Sequence, residues 1–81
     1  MAKRRLYRIG EVARFSGLSR QILHNYTIFG LITEEERTPG GYRLYGEDVF
    51  ERLRTIAELK ANHTLREIKA ILSQESGTGE K

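Results

Sequence analysis

The sequence predicts a small, mainly α-helical domain with one short β-hairpin. Apolar residues recur at helical spacing in four separate segments, and a Pro-Gly-Gly turn precedes a short alternating stretch. The length of 81 residues suits one hydrophobic core rather than two. We therefore expect one domain over residues 6–72, between a flexible basic arm at 1–5 and a disordered polar tail at 73–81.

The first predicted elements are a brief extended segment and a short helix. Residues 6–9 alternate, which is compatible with a short strand or with an extended lead-in. Ile9 and Val12 then follow helical spacing, so we place the first helix at about 9–15. Gly17 is a natural left-handed cap for the end of that helix.

A second helix is predicted at about 19–29, with Ser19 as its N-cap and Gly30 as its end. Its inward positions are expected to be Ile22, Leu23, Tyr26 and Phe29. Polar residues occupy the outward positions of its first turns. A short helix, a tight turn and a second helix predict a helix-turn-helix, whose second helix offers its first turns to the DNA major groove.

The hairpin is predicted to form a two-stranded wing after the second helix. Leu31–Thr33 would be its first strand and Tyr42–Tyr45 the returning strand, with Pro39, Gly40 and Gly41 forming the turn between them. Three consecutive acids at residues 34–36 count against a DNA surface here. We expect them on the solvent side of a flexible loop, where water and salt screen their charge.

Two further helices complete the predicted four-helix domain. Carboxylates at residues 47 and 48 begin a third helix, which continues to about residue 61. Thr64 and Glu67 then form a capping box for a fourth helix that ends near residue 72. The predicted architecture is thus a winged helix-turn-helix with four helices and a two-stranded wing.

Composition narrows the class of function. The chain has no cysteine, which excludes a disulfide or thiolate metal site within it and fits a reducing cytosol. No apolar run approaches membrane-spanning length, so we expect a soluble cytoplasmic protein. Residues 1–45 hold eight lysines and arginines against four acids, whereas residues 46–81 hold six against seven. The basic half predicts a polyanionic partner.

Nothing in the sequence indicates an enzyme. It contains no nucleophile-base pair and no phosphate-binding glycine loop. His24 and His63 lie in different predicted elements without a carboxylate at ligand spacing, so neither predicts a metal site. We expect neither a metal nor a cofactor.

Several segments together carry a resemblance to a known family. They are Tyr7-Arg8-Ile9-Gly10-Glu11-Val12-Ala13, Gly17-Leu18-Ser19, Tyr26, Gly30-Leu31-Ile32, Arg37, Gly41-Tyr42-Arg43-Leu44-Tyr45, Glu47-Asp48-Val49 and Leu65-Arg66-Glu67-Ile68. In this order and spacing the chain resembles the DNA-binding domain of the MerR family of bacterial transcription regulators. The resemblance implies that the second helix enters the major groove, while the wing and the helix-end tyrosine contact phosphates and the minor-groove edge. It also implies two-fold dimers on palindromic promoter operators.

The chain departs from the family pattern in its second helix and in its length. Ile22, His24, Asn25 and Thr27 stand where the family usually has threonine, arginine, an aromatic residue and an acid. Because histidine is only partly charged near neutral pH, a phosphate contact by His24 should be weaker and more sensitive to pH. The family's long dimerising helix and effector domain are not in this chain, which we therefore expect to be a monomer as given. It would be either an excised domain or a short variant.

We assign the following roles to candidate DNA-binding residues. Arg20 and Gln21 suit base-edge readout, arginine for guanine and glutamine for adenine. His24, Asn25 and Tyr26 are candidates for phosphate or base contact, and Arg37, Tyr42 and Arg43 for backbone or minor-groove contact. The alternative function is a protein-protein interaction module that keeps the scaffold without the DNA role.

Overall fold

The computed structural model describes residues 5–78 of the chain. Residues 1–4 of the predicted arm and residues 79–81 of the predicted tail lie outside this part. The elements run, in chain order, β1 (Leu6–Arg8), α1 (Ile9–Ser16), α2 (Arg20–Phe29), β2 (Glu36–Arg37), β3 (Arg43–Gly46), α3 (Asp48–Leu59) and α4 (Leu65–Thr78). The four helices and the hairpin confirm the predicted fold class.

The sheet has three antiparallel strands in the order β1-β3-β2. The strand predicted as one of two possibilities for residues 6–9 is observed at Leu6–Arg8, where Tyr7 pairs with Tyr45 of β3, whereas Ile9 begins α1. On the other side of β3, Arg37 pairs with Arg43. The wing is therefore the outer hairpin, β2 and β3, of a sheet whose third strand is β1. The prediction of a two-stranded wing did not include this third strand.

The predicted first wing strand at Leu31–Thr33 is wrong. Leu31 and Ile32 are buried to 0% and 3% exposure in the connection after α2, and the strand forms later, at Glu36–Arg37. The two apolar side chains are part of the core, and the Leu31 carbonyl accepts a hydrogen bond from Arg52 Nε at 2.9 Å. Burial and this bond hold the segment against α3, so it does not join the sheet.

Most helix ends follow the predicted signals. Gly17 and Gly30 take the left-handed conformation, with φ of 80° and 93°. The Ser19 hydroxyl accepts an N–H of the first turn of α2. Thr64 and Glu67 form the reciprocal capping box, with bonds of 3.1 and 2.9 Å.

Two helix boundaries differ from the prediction. The third helix ends at Leu59 rather than near residue 61, and α4 continues past residue 72 to Thr78. No proline interrupts residues 73–78, and serine, glutamine and glutamate are all tolerated in a helix. The tail therefore begins later than predicted, and its disorder remains a prediction for residues 79–81, outside the described residues.

The core lies between the helices and the inner face of the sheet. In α2 it takes Leu23 and Tyr26, at 0% and 6% exposure, whereas Ile22 and Phe29 remain 38% and 37% exposed, so the prediction that these two point inward is wrong. The buried face of this helix is narrow because Leu23 and Tyr26, three residues apart, already fill it. The buried core residues are Tyr7, Val12, Leu23, Tyr26, Leu31, Ile32, Tyr45, Val49, Leu53, Ile56, Ile68 and Leu72.

Aromatic side chains join β1 to the helices. The ring of Tyr7 meets those of Phe15 and Phe50 edge to face, at centroid distances of 6.1 and 5.0 Å. Tyr7 and Tyr45 belong to the core, and Phe50 packs against it. Among the residues described, no helix has the length and apolar character needed to cross a bilayer.

Candidate nucleic-acid interface

A groove of about 670 Å³ opens between α1, the first turns of α2 and the wing turn. We call it the basic groove. Its lining brings together four of the predicted site residues, Arg20, His24, Tyr42 and Arg43. The other lining residues are Arg8, Ile9, Gly10, Glu11, Arg14 and Gly41. Four arginines and one acid give the groove the charge that attracts a phosphate backbone.

Arg20 enters the basic groove by lying against Gly10 of α1. An ideal Cβ placed on Gly10 would lie 2.8 Å from Arg20 Nη2, closer than carbon atoms normally approach. The absence of a side chain at Gly10 therefore lets the guanidinium settle over the start of α1. In this position Arg20 lines the basic groove together with Tyr42 and Arg43 of the wing.

The outer face of α2 carries a pair of amides. Gln21 and Asn25 are exposed, and Gln21 Nε2 donates a hydrogen bond to Asn25 Oδ1 at 3.0 Å. They are not among the residues that line the basic groove. Each amide keeps further donor and acceptor capacity, which is the chemistry that reads an adenine edge.

The wing turn closes between Thr38 and Tyr42. Gly41 N donates to the Thr38 carbonyl and Thr38 N donates to the Tyr42 carbonyl, both at 2.8 Å. Gly41 takes a φ of 91°, whereas Gly40 does not adopt a positive φ. The turn exposes 65% of Tyr42, and Arg8 Cζ lies 5.8 Å from the centre of that ring.

Glu34 contradicts the expectation that the acids lie in a solvent-facing flexible loop. Its side chain is 21% exposed, and its oxygens lie 3.3 Å from Arg37 Nε and 3.7 Å from Arg43 Nε. A hydrogen bond from its own backbone N–H, and then the two guanidinium groups, lower the pKa of this carboxyl below 4.5, although partial desolvation acts the other way. Glu35 and Glu36 are exposed, as expected, but Glu36 lies in β2 rather than in a loop.

Tyr26 contributes less surface than a DNA contact would suggest. It is 6% exposed and belongs to the core, and its contact with phosphate remains a prediction. The neighbouring Thr27 hydroxyl donates to the Leu23 carbonyl at 2.9 Å, so its oxygen is left to accept the Tyr45 hydroxyl at 2.8 Å. This bond between Thr27 and Tyr45 links α2 to β3, the central strand of the sheet.

Arg8 and Arg14 line the basic groove, although the sequence analysis gave them no role beyond their charge. Arg8 lies at the junction of β1 and α1, where its backbone N–H donates to Glu11 at 3.0 Å. Arg14 lies four residues after Gly10 and therefore on the same face of α1. That spacing was visible in the sequence, but the packing of Gly10 against α2 was not.

The metal-binding side chains that the structure describes, in residues 5–78, are histidines, aspartates and glutamates. No three His, Asp or Glu side chains in that range come together in a way that could hold a metal ion.

Comparisons with known proteins agree with this geometry. The profile of the family described as "MerR HTH family regulatory protein" matches residues 7–75. The nodulation protein NolA of Bradyrhizobium elkanii is 38% identical over 68 residues, which are 83% of this chain and 31% of that protein. The mercuric resistance operon regulatory protein of Bacillus cereus is 39% identical over 67 residues, 82% of this chain and 51% of that protein.

Solved structures match over most of the chain. MtaN, the N-terminus of the Bacillus subtilis multidrug transporter activator, has a TM-score of 0.76 at 39% identity, covering 82% of this chain and 63% of that one. The transcriptional regulator SkgA of Caulobacter crescentus has a TM-score of 0.77 at 33% identity, covering 89% and 52%. The chain spans about a third of the length of the NolA proteins and about half of the mercuric resistance regulator.

Proposed function

The chain belongs to the MerR family of helix-turn-helix regulatory proteins, a family of sequence-specific DNA-binding transcription regulators, and from this premise we propose how it holds its operator. In this proposal α2 lies in the major groove of double-stranded DNA, and the wing follows the adjacent backbone toward the minor groove. The observation that carries the proposal is the basic groove, because it joins the start of α2 to the wing turn through four arginines.

We divide the contacts by where the side chains lie. The paired amides of Gln21 and Asn25 stand on the outer face of α2 and would read base edges. Arg8, Arg14 and Arg43 in the basic groove would hold phosphates, which fixes position without reading sequence. Tyr42 and Arg37, exposed on the wing, would contact the backbone or the minor-groove edge.

Arg20 would act at the boundary between these two sets. Its guanidinium lies over Gly10 and faces the basic groove, so in this conformation it reaches a phosphate more readily than a base. The guanine contact assigned to Arg20 from the sequence requires its side chain to swing out from α1 when DNA binds. Retention of sequence preference by Arg20→Ala would assign it to phosphate.

His24 lies one helical turn beyond Arg20 and also lines the basic groove. Arg8, Arg14, Arg20 and Arg43 line the same groove, and its one acid is Glu11. We propose that the His24 ring donates a hydrogen bond to a phosphate in this groove, so His24→Ala should weaken DNA binding when the two affinities are measured on one duplex.

The relatives that match this chain are longer than it is. For a full-length protein of that kind, we propose a cytoplasmic regulator that binds a palindromic promoter operator as a two-fold dimer. A non-enzymatic role is part of the same proposal. Both rest on family membership, and the operator itself is found by selecting duplexes from a random library.

The experiment that tests the DNA-binding surface is an NMR titration of the labelled domain with a duplex at low and moderate salt. We expect amide shifts at residues 8–14, 19–27 and 37–45 that fade as the salt concentration rises. Shifts confined to residues 47–72, or none at low salt, would instead favour the protein-interaction alternative and overturn the proposal.

A matched pair of charge deletions measures the phosphate contact. The affinity K for DNA falls as salt rises, so the slope of log K against log salt is negative. Arg43→Ala should make this slope shallower by about one, because one counterion fewer is released on binding. Arg54→Ala removes the same charge from an exposed position on α3, outside the basic groove, and should leave the slope unchanged. Equal slopes for the two variants would remove Arg43 from the interface.

A further inference from the structure

Glu34 lies among the arginines of the wing, where a negative charge would ordinarily oppose DNA binding. One of its oxygens lies 3.3 Å from Arg37 Nε and the other lies 3.7 Å from Arg43 Nε. The two arginines are themselves partners in the pairing of β2 with β3, so their side chains start from adjacent backbone positions. Without the carboxylate between them, two like charges would face each other.

The contacts of Glu34 engage one particular part of each arginine. They reach the Nε atoms, on the side of the guanidinium, and leave the two Nη groups at its end. The Nη groups form the fork that matches a phosphate or a base edge. One carboxylate therefore holds both side chains while their recognition ends stay unoccupied by it.

The contact between Glu34 and Arg43 is an ion pair without a hydrogen bond. The Nε of Arg43 is buried and has no hydrogen-bond partner among the described residues. The 3.7 Å to Glu34 is an ion-pair distance and exceeds a hydrogen bond. A shift of a few tenths of an ångström in either side chain would form that bond, and a phosphate that engages the Nη groups would favour such a shift.

We propose that Glu34 is a positioning residue for DNA binding, which braces Arg37 and Arg43 through their Nε atoms so that their Nη groups face the phosphate backbone. This inference rests on the proposed DNA-binding function and adds a specific role for an acid within it. The lowered pKa of the Glu34 carboxyl is consistent with this role, because the group stays ionised throughout the neutral range.

Two opposing effects decide the sign of the Glu34 contribution. Its negative charge repels phosphates, but beyond the arginines that repulsion acts through water and is screened by salt. Against this, two long side chains that are already held lose less rotamer freedom when they bind. At moderate salt we infer that the ordering effect is the larger one, so removal of the carboxylate should weaken binding.

The test compares Glu34→Gln with Glu36→Gln on one duplex. Glu36 lies exposed on β2, so its substitution removes the same charge from nearly the same place without altering the two ion pairs of Glu34. We expect Glu34→Gln to bind about three- to five-fold more weakly than Glu36→Gln, the size typical of a partly exposed ion pair. Equal binding by the two variants would refute the positioning role, and tighter binding by Glu34→Gln would show that the carboxylate competes with phosphate, so either result would overturn the proposal.

A second comparison separates positioning from a purely structural effect. Lysine keeps the charge at position 43 but has no Nε–H side for Glu34 to hold. In an Arg43→Lys background, the difference between Glu34→Gln and Glu36→Gln should therefore shrink toward the part carried by Arg37. An unchanged difference would assign the loss to a distorted wing, and amide spectra of the free variants would locate the distortion.

The DNA-binding function and the positioning role of Glu34 can be refuted separately. If the wild-type chain and Glu36→Gln both fail to bind DNA at low salt, the proposed function falls and the role of Glu34 with it. If both bind and Glu34→Gln binds equally well, the function stands and the positioning role alone is refuted.

Discussion

The hydrogen bond between Tyr45 and Thr27 should stabilise the domain and set the angle between α2 and the wing. The Tyr45 hydroxyl donates to Thr27 Oγ1 over 2.8 Å, and the same threonine donates to the Leu23 carbonyl at 2.9 Å. Tyr45 is 1% exposed, so its hydroxyl has little access to water as an alternative partner. Removal of either hydroxyl therefore leaves the other group short of a bond.

The magnitude follows from which group is left unpaired. Tyr45→Phe removes the donor, and Thr27 keeps its bond to Leu23, so the expected loss is about 1 kcal/mol. Thr27→Val leaves the phenol hydroxyl buried without an acceptor, which costs about 1–3 kcal/mol. The double variant has no orphaned group, and should be more stable than the sum of the single losses by about 1 kcal/mol.

Urea and thermal unfolding of the four proteins measure these differences. For a domain of this size, 1 kcal/mol corresponds to a Tm change of about 4–8 °C. Thr27→Ser keeps the hydroxyl and serves as the control, with a smaller loss than Thr27→Val. If the single losses are additive in the double variant, the two groups do not interact and the coupling between α2 and β3 has another origin.

Three further predictions follow from the glycines and the acid. Gly41→Ala should destabilise the domain by about 1–2 kcal/mol, because alanine must adopt a φ of 91°. The space around Gly41 is open, so the loss comes from the backbone conformation and not from a clash. A smaller loss in thermal unfolding would show that the turn rearranges. Gly10→Ala should leave the Tm unchanged or raise it, because alanine favours a helix, but the added methyl group should displace Arg20. We therefore expect DNA affinity to fall without a loss of stability. An unchanged affinity would show that Arg20 leaves its observed position when DNA binds. The lowered pKa of Glu34 means that its contribution to folding stability is present at neutral pH and is lost as the pH falls below 4.5. Carboxyl NMR titration should place the midpoint of Glu34 below the ordinary value for a glutamate, and a midpoint at or above that value would refute the prediction.

Local signals in the sequence predicted the helices well. The capping contacts of Gly17, Ser19, Gly30 and the Thr64–Glu67 pair all reach residues three or four positions away, and each is the contact that its local chemistry requires. No partner from elsewhere in the chain is needed for these contacts. This is why the helix starts and the helix-turn-helix could be read directly.

The errors arose where the outcome depended on tertiary contacts. Leu31 and Ile32 have the composition of a strand, but the core takes them first. Ile22 has a suitable spacing for burial, yet Leu23 and Tyr26 occupy the narrow inward face of α2. In each case the sequence showed that the residue is apolar but not which of several apolar residues the core would accept.

The candidate site was predicted in part for the same reason. The sequence indicated the second helix and the wing, and Arg20, His24, Tyr42 and Arg43 do line one groove. It did not predict that Arg8 and Arg14 join them, since that depends on how α1 packs beside α2. Nor could it pair Glu34 with both wing arginines, because that contact depends on the register of β2 with β3.

The place of β1 in the sheet has a consequence for the order of folding. Leu6 pairs with Gly46, so the sheet joins residues about forty positions apart, whereas the helix-turn-helix is built from near neighbours. During synthesis, α1 and α2 can therefore meet before the sheet exists. We expect a nascent chain in which Gly46 has not yet left the ribosome to contain the recognition helix without a complete wing. The surface that contacts the DNA backbone would then form last.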